Sequence, residues 1–136
     1  MLNKIIDRIK LPFRKEKELY LSLYQIIGVL PHNLSYYKTA LLHKSVARRN
    51  EKGKPVNNER LEFLGDAILG AVIADYIFTN APEQDEGYLT KMRSKIVERR
   101  NLNQLGEELQ LLSFLRTKLT PKQLGNNITG NLFEAL

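Results

Sequence analysis

The chain has 136 residues, of which 43% are hydrophobic and 26% charged, so it is long enough for one globular domain with its own core. It contains no cysteine, which excludes disulfides and thiolate metal sites. Charged side chains interrupt residues 1–30, so we expect neither a signal peptide nor a membrane span there and take the cytoplasm as the location. The net charge of +6 suits a polyanionic partner, although a lysine-rich surface can also simply aid solubility.

The first part of the chain predicts two helices and a loop. Residues 16–29 have helical hydrophobic spacing and predict a first helix that ends near Gly28. Residues 34–47 predict a second, shorter helix, and residues 50–57 form a polar loop rich in helix breakers. We treat residues 1–19 as an N-terminal extension that precedes the domain.

A long apolar helix is predicted from Asn58 to about Phe78. Its side chains are apolar on most of the circumference, so we expect it to be buried on most sides, in part by a partner subunit. The charged residues within it argue against a membrane span.

The last part of the chain is also predicted to be helical. A helix begins at Gly87, a leucine stripe at helical spacing covers residues 102–112, and residues 117–130 are loop-like. A further apolar helix begins at Asn131 and stops at Leu136. Because two turns are too short to be stable alone, we expect the natural protein to continue; the alternative is a short helix held by tertiary contacts. With no alternating strand pattern, the fold class is all-α.

The start of the long helix carries an acidic face. Glu59, Glu62 and Asp66 fall within about 60° of arc when spaced at 3.6 residues per turn. Unpaired carboxylates are costly to bury, so several in an apolar segment indicate a specific role. Carboxylate oxygens are the ligands that divalent cations prefer, so this face predicts a metal site.

The segment 59–67, with the sequence ERLEFLGDA, resembles the signature of the ribonuclease III family of double-stranded-RNA endonucleases. Residues 42–45 resemble the family's His-x-Ser element, residues 86–93 the segment after the signature, and residues 130–136 the second catalytic stretch. The resemblance implies the family's helical endonuclease domain over residues 20–136, C-terminally incomplete, working as a homodimer. The double-stranded-RNA-binding domain that usually follows is absent from this sequence.

The resemblance also implies a set of metal ligands. They are Glu62, Asp66, Asn131 and Glu134, with Asp66 and Glu134 as the catalytic residues and Mg²⁺, which Mn²⁺ can replace, as the cofactor. A metal-bound water is acidic enough to act as the nucleophile, so no histidine base is needed. We therefore expect His43 to be a structural, hydrogen-bonding residue.

One position departs from the family pattern. Asn131 stands where the second catalytic stretch usually has aspartate, and an amide offers a carbonyl oxygen but no negative charge. Three interpretations compete: a natural variant that remains active, a deliberate inactivating change, or a degenerate site. We favour the active variant, because Glu59, Glu62, Asp66 and Glu134 are all intact.

The resemblance assigns Phe63 to the homodimer contact, with a plain core residue as the alternative. It also points to residues that would face RNA, namely Glu59, Glu86, Lys91, Arg93 and Lys95. Duplex RNA is recognised mainly by shape and backbone, so scattered cations suffice. The simpler accounts are a solvated face for each basic residue and a helix N-terminal acid for Glu86.

The implied activity is metal-dependent hydrolysis of double-stranded RNA, giving 5′-phosphate and 3′-hydroxyl ends with short 3′ overhangs, in the processing of ribosomal and messenger RNA. The competing hypothesis is a non-catalytic RNA-binding or ribosome-associated module on the same dimer, which Asn131 favours. A more distant one is a helical metal-binding protein without an RNA role.

Overall fold

The computed structural model describes residues 16–136, and these form helices and loops without a β-strand. Helices α1 to α6 cover, in chain order, Lys17–Ile27, Leu34–Ala40, Glu59–Asn80, Glu86–Ile96, Arg99–Glu108 and Ile128–Ala135. Short 3₁₀ turns cover Lys44–Val46, Leu111–Phe114 and Pro121–Gln123. The predicted all-α fold is confirmed, and residues 1–15 of the predicted N-terminal extension lie outside the described residues.

The described chain divides into two compact units, with the boundary between Tyr36 and Tyr37. In the first unit, α1 ends at Gly28 as predicted, and the Gly28 N–H donates to the Tyr24 carbonyl at 2.9 Å. The second unit holds every residue of the site described below.

The helix predicted over residues 34–47 is shorter than expected, because α2 ends at Ala40. Beyond it the backbone pairs with Arg116 in an isolated parallel bridge. The Arg116 N–H donates to the Leu41 carbonyl at 2.8 Å, and the His43 N–H donates to the Arg116 carbonyl at 3.0 Å. A backbone group used in this bridge is not available to continue a helix.

His43 then starts the 3₁₀ turn Lys44–Val46. Its ring nitrogen Nδ1 accepts a hydrogen bond from the Ser45 N–H at 3.1 Å, which caps the turn. Partial burial lowers the pKa of His43, and the neighbouring positive charge of Lys44 lowers it further. The predicted hydrogen bonding of His43 is therefore present, and its structural role stays a prediction.

Helix α3 is anchored at its first turn and exposed along one side. Asn58 is buried, and its N–H donates to the Leu42 carbonyl at 2.9 Å, which ties the start of α3 to the chain before it. Ile77 is the one buried residue of α3, so the expected burial on most sides does not occur within one chain. The exposed large apolar residues of α3 are Phe63, Leu64, Ile68, Val72, Tyr76 and Phe78. Over residues 16–136, no helix has the length and apolar character that a membrane span requires.

The leucine stripe predicted over residues 102–112 is also divided. Helix α5 ends at Glu108, and Gln110 adopts a left-handed conformation with φ of 54° before the next 3₁₀ turn. Of the four leucines in the predicted stripe, Leu102, Leu105, Leu109 and Leu112, only Leu102 is buried, whereas Leu105 and Leu112 are exposed. The buried leucine after the break is Leu111, so the periodicity was wrong about the helix boundary and about which leucine of the second piece faces the core.

The short helix α6 packs against α5 and α3, and its Leu132 is fully buried. Two glycines allow this close packing. A Cβ on Gly65 of α3 would overlap the Glu134 carbonyl oxygen, and a Cβ on Gly106 of α5 would overlap the Thr129 carbonyl oxygen. Contacts with α3 and α5 therefore hold this two-turn helix, and the expectation that the natural protein continues stays a prediction.

Candidate active site

Side chains from four segments of the second unit meet in one open cleft of about 520 Å³. The segments are the 3₁₀ turn after α2, the first two turns of α3, the first residue of α5, and α6. The cleft is lined by Lys44, Glu59, Glu62, Phe63, Asp66, Arg99, Asn131 and Glu134. The structure thus brings all four predicted metal ligands together, although Asn131 and Glu134 are far from Glu62 and Asp66 in sequence.

Glu134 is the buried carboxylate of the cleft. Its side chain is 2% exposed, whereas the Arg99 side chain that pairs with it is 43% exposed. Arg99 Nη1 donates to Glu134 Oε2 at 3.0 Å and to Asn131 Oδ1 at 2.8 Å. One guanidinium nitrogen therefore engages both predicted ligands from α6.

The start of α6 is positioned by Asn103, a residue of α5. Asn103 Oδ1 accepts a hydrogen bond from the Gly130 N–H at 2.9 Å, and Asn103 Nδ2 donates to the Asn126 carbonyl at 3.1 Å. The first N–H groups of a helix have no partner within the helix, so Asn103 satisfies one of them from outside. This contact sets where Asn131 and Glu134 project into the cleft.

Glu62 is partly buried and lies near the negative charge of Glu134. Partial burial raises the pKa of the Glu62 carboxyl above its usual value, and the nearby negative charge of Glu134 raises it further. The positive charge of Arg99 acts in the opposite direction with a smaller effect. An additional positive charge in the cleft, such as a divalent cation, would therefore favour the ionised form of Glu62.

Glu59 lies at the rim and already has partners. Lys44 Nζ donates to Glu59 Oε1 at 2.8 Å, and Asn57 Nδ2 donates to Glu59 Oε2 at 3.2 Å. The hydrogen bond from Lys44 holds the pKa of Glu59 below its usual value. This exposed pair keeps Glu59 ionised and turned toward the 3₁₀ turn.

The donor atoms suit a hard divalent cation, but their arrangement is not a complete metal site. Glu62, Asp66, Asn131 and Glu134 offer only carboxylate and amide oxygens, which Mg²⁺ and Mn²⁺ prefer. Within residues 16–136, however, no group of three or more histidine, aspartate and glutamate side chains is arranged so that it could hold a metal ion. Arg99 occupies oxygens of the two ligands from α6.

The other predicted RNA-facing residues lie on α4 and do not line the cleft. Glu86, Lys91, Arg93 and Lys95 are all exposed. Glu86 sits in the first turn of α4, where its Oε1 accepts a hydrogen bond from Thr90 Oγ1 at 2.8 Å. This favours the simpler account of Glu86 as a helix N-terminal acid.

Sequence reasoning does not identify two residues of the cleft, Arg99 and Lys44. No pattern within the sequence distinguishes Arg99 from the adjacent Arg100. For Lys44, the only signal was its place next to His43, in an element that precedes the acidic face.

Comparisons with known proteins agree on one family. The family model described as Ribonuclease-III-like matches residues 33–136. Ribonuclease 3 of Flavobacterium psychrophilum is 55% identical over 113 residues, which are 83% of this chain and 46% of that protein. Ribonuclease 3 of Bacteroides thetaiotaomicron is 49% identical over 135 residues, which are 99% of this chain and 43% of that protein. The chain thus spans less than half the length of these relatives.

Solved structures show the same fold. A nuclease domain of ribonuclease III from Campylobacter jejuni, described as flexible in a region involved in dimer formation, matches with a TM-score of 0.71. It is 29% identical, and the match covers 84% of this chain and 78% of that one. Dicer from Pichia stipitis matches with a TM-score of 0.57 and 30% identity over 78% of this chain and 45% of that one.

Proposed function

The chain belongs to the ribonuclease III family, and on that premise we propose that it is the endonuclease domain of an enzyme that hydrolyses double-stranded RNA. The products would carry 5′-phosphate and 3′-hydroxyl ends with short 3′ overhangs. The observation that carries this proposal is the meeting of Glu62, Asp66 and Glu134 in one cleft with the Asn131 carbonyl oxygen. We extend the proposal to a cytoplasmic enzyme that processes ribosomal and messenger RNA.

Oxygen ligands of this kind call for Mg²⁺, with Mn²⁺ as a substitute, held by Glu62, Asp66, Asn131 and Glu134. Such an ion supplies a more acidic water as nucleophile and positive charge for the departing oxygen. Other contacts within the chain hold these ligands in position. Burial keeps Glu134 in one orientation, and the contact of Asn103 with α6 holds it in register with the acids of α3.

The RNA would approach the exposed side of the cleft. Lys91, Arg93 and Lys95 are exposed on α4, where they are proposed to contact phosphates. Glu59 is proposed to face the RNA from the rim, where Lys44 fixes it. Glu86 is also proposed to lie near the RNA, although its hydrogen bond with Thr90 explains its position at the start of α4 without a role in RNA binding.

We also propose that the chain forms a homodimer through α3. Leu64, Ile68, Val72 and Tyr76 recur every four residues and are each more than half exposed, so they form one apolar row. Phe63, at the edge of the cleft, is 80% exposed, which rules out the plain core alternative within one chain. Continuous apolar patches of this kind mark association surfaces.

Replacing Phe63 with alanine should weaken this dimer. A buried aromatic anchor at an interface is commonly worth about 2 kcal/mol or more, so the dissociation constant should rise by about 30-fold. Analytical ultracentrifugation over a dilution series would measure it. Tyr36→Ala, which removes an exposed aromatic residue from α2, serves as the control and should leave association unchanged. An equal dissociation constant for wild type and Phe63→Ala would contradict this role.

The test of the main proposal is cleavage of a long, fully paired RNA with Mg²⁺, Mn²⁺ or EDTA. Single-stranded RNA and duplex DNA of the same sequence are the matched controls, and end-labelling identifies the product ends. We expect cutting of the paired RNA alone, only with metal. Binding without cutting in either metal would instead favour the non-catalytic RNA-binding module, and cutting in Mn²⁺ alone would show that Asn131 shifts the metal requirement.

A further inference from the structure

Arg99 occupies an unusual place for a basic residue in a cleft of acids. It begins α5, and its guanidinium reaches inward to Glu134 and Asn131 through a single nitrogen. Its side chain remains 43% exposed, so the group can leave the cleft without disturbing the core. Glu134 has no such freedom, because its side chain is almost fully buried.

Charge balance explains why this contact forms. An ionised carboxylate as deeply buried as Glu134 needs a positive partner close by, and Arg99 supplies it. A divalent cation at Glu134 would satisfy the same requirement. Both cations cannot take the same oxygens, since like charges a few ångströms apart repel strongly in a partly buried site.

We propose that Arg99 is a tethered counter-ion that holds Glu134 and Asn131 in place and competes with a divalent cation for them. The inference rests on the metal-dependent activity proposed above. It makes Arg99 a positioning residue, which sets the metal concentration at which the cleft fills and does not itself touch the reacting atoms.

The same account explains the departure at residue 131. The Asn131 carbonyl oxygen accepts from Arg99 without adding charge, so one guanidinium balances one buried carboxylate. An aspartate would bring a second negative charge onto the same nitrogen. We therefore treat Asn131 and Arg99 as a pair. Before a metal ion binds, the positive charge at this point of the cleft is the single charge of the Arg99 guanidinium, and the uncharged amide of Asn131 suits it.

The test is Mn²⁺ binding to the RNA-free protein, measured by the EPR signal of free Mn²⁺. Arg99→Gln should bind Mn²⁺ about tenfold more tightly than wild type, because a competing positive charge is gone. Arg99→Lys, which keeps the charge, should stay close to wild type. Arg100→Gln removes an adjacent, exposed positive charge, and it controls for the effect that losing any nearby positive charge has on Mn²⁺ binding. Equal or weaker binding by Arg99→Gln, or equal effects at both arginines, would overturn the proposal.

A second measurement uses the unaltered protein, in case Arg99→Gln leaves the buried carboxylate uncompensated and does not fold. In a ¹⁵N spectrum of the arginine side chains, the Arg99 Nε–H signal is identified by its loss in Arg99→Lys. Saturating Mg²⁺ should shift this signal and speed its exchange with water, whereas the Arg100 signal should not change. An unchanged Arg99 signal would refute displacement. Neither readout depends on RNA cleavage, so this inference and the proposed function can fail separately.

Discussion

Glu134→Gln should lower the rate of RNA cleavage by at least about 100-fold, a loss typical of removing one electrostatic contact from an active centre. The amide has nearly the same volume as the carboxylate, so the buried position stays filled. It can still accept the hydrogen bond from Arg99 through its carbonyl oxygen. What it loses is the negative charge that a divalent cation requires. Single-turnover cleavage of a paired RNA at saturating Mg²⁺ would measure the effect.

The matched control for this variant is Glu107→Gln. Glu107 is an exposed residue of α5 and does not line the cleft, so its replacement should leave cleavage unchanged. Thermal unfolding of both variants shows whether a loss of cleavage comes from the lost charge or from a loss of folded protein. We expect Glu134→Gln to be nearly as stable as wild type, because the charge left without its partner is that of Arg99, whose side chain is 43% exposed to water. Cleavage at the wild-type rate by folded Glu134→Gln would remove Glu134 from the proposed mechanism.

Gly65→Ala should lower the free energy of unfolding by about 3 kcal/mol, at the upper end for adding a methyl group to a packed site. The new Cβ would overlap the backbone carbonyl of Glu134, and a backbone group cannot rotate away as a side chain can. Helix α6 would have to move relative to α3, which would also displace Glu134 from the acids opposite it. Urea denaturation measures the stability, and the cleavage assay measures the displacement.

Gly70→Ala is the matched control, because it makes the same change in the same helix. A Cβ on Gly70 would meet nothing within 4 Å, so the substitution should be neutral or stabilise the chain. Alanine in a helix is favoured over glycine by up to about 1 kcal/mol. Equal free energies of unfolding for the two variants would show that the approach of α3 to α6 does not depend on Gly65.

Much of the fold was predictable because helical periodicity is a local property. The spacing of apolar residues predicted α1, α3 and α4 to within a few residues, and the acidic face of α3 followed from its 3.6-residue repeat. The errors have tertiary causes. Helix α2 ends early because the backbone just after it, from Leu41 to His43, pairs with Arg116, and the stripe over 102–112 breaks at Gln110.

The candidate site was also predictable only in part from the sequence. The signature segment identified Glu62 and Asp66, and the second stretch identified Asn131 and Glu134. That all four line one cleft is consistent with their predicted role as metal ligands, which stays a prediction. Arg99 was not identifiable, because nothing in a run of basic residues shows which one points inward.

The sequence by itself determined the all-helical class and the acidic face of α3, because both depend on residue types at short, regular spacings, and its motifs indicated the family by resemblance. The tertiary structure alone decided that α6 packs closely against α3 at Gly65, that Glu134 is buried, and that Arg99 neutralises the charge of Glu134. Those properties depend on which atoms of distant segments touch. Burial and charge pairing are properties of such contacts, and local sequence does not specify them.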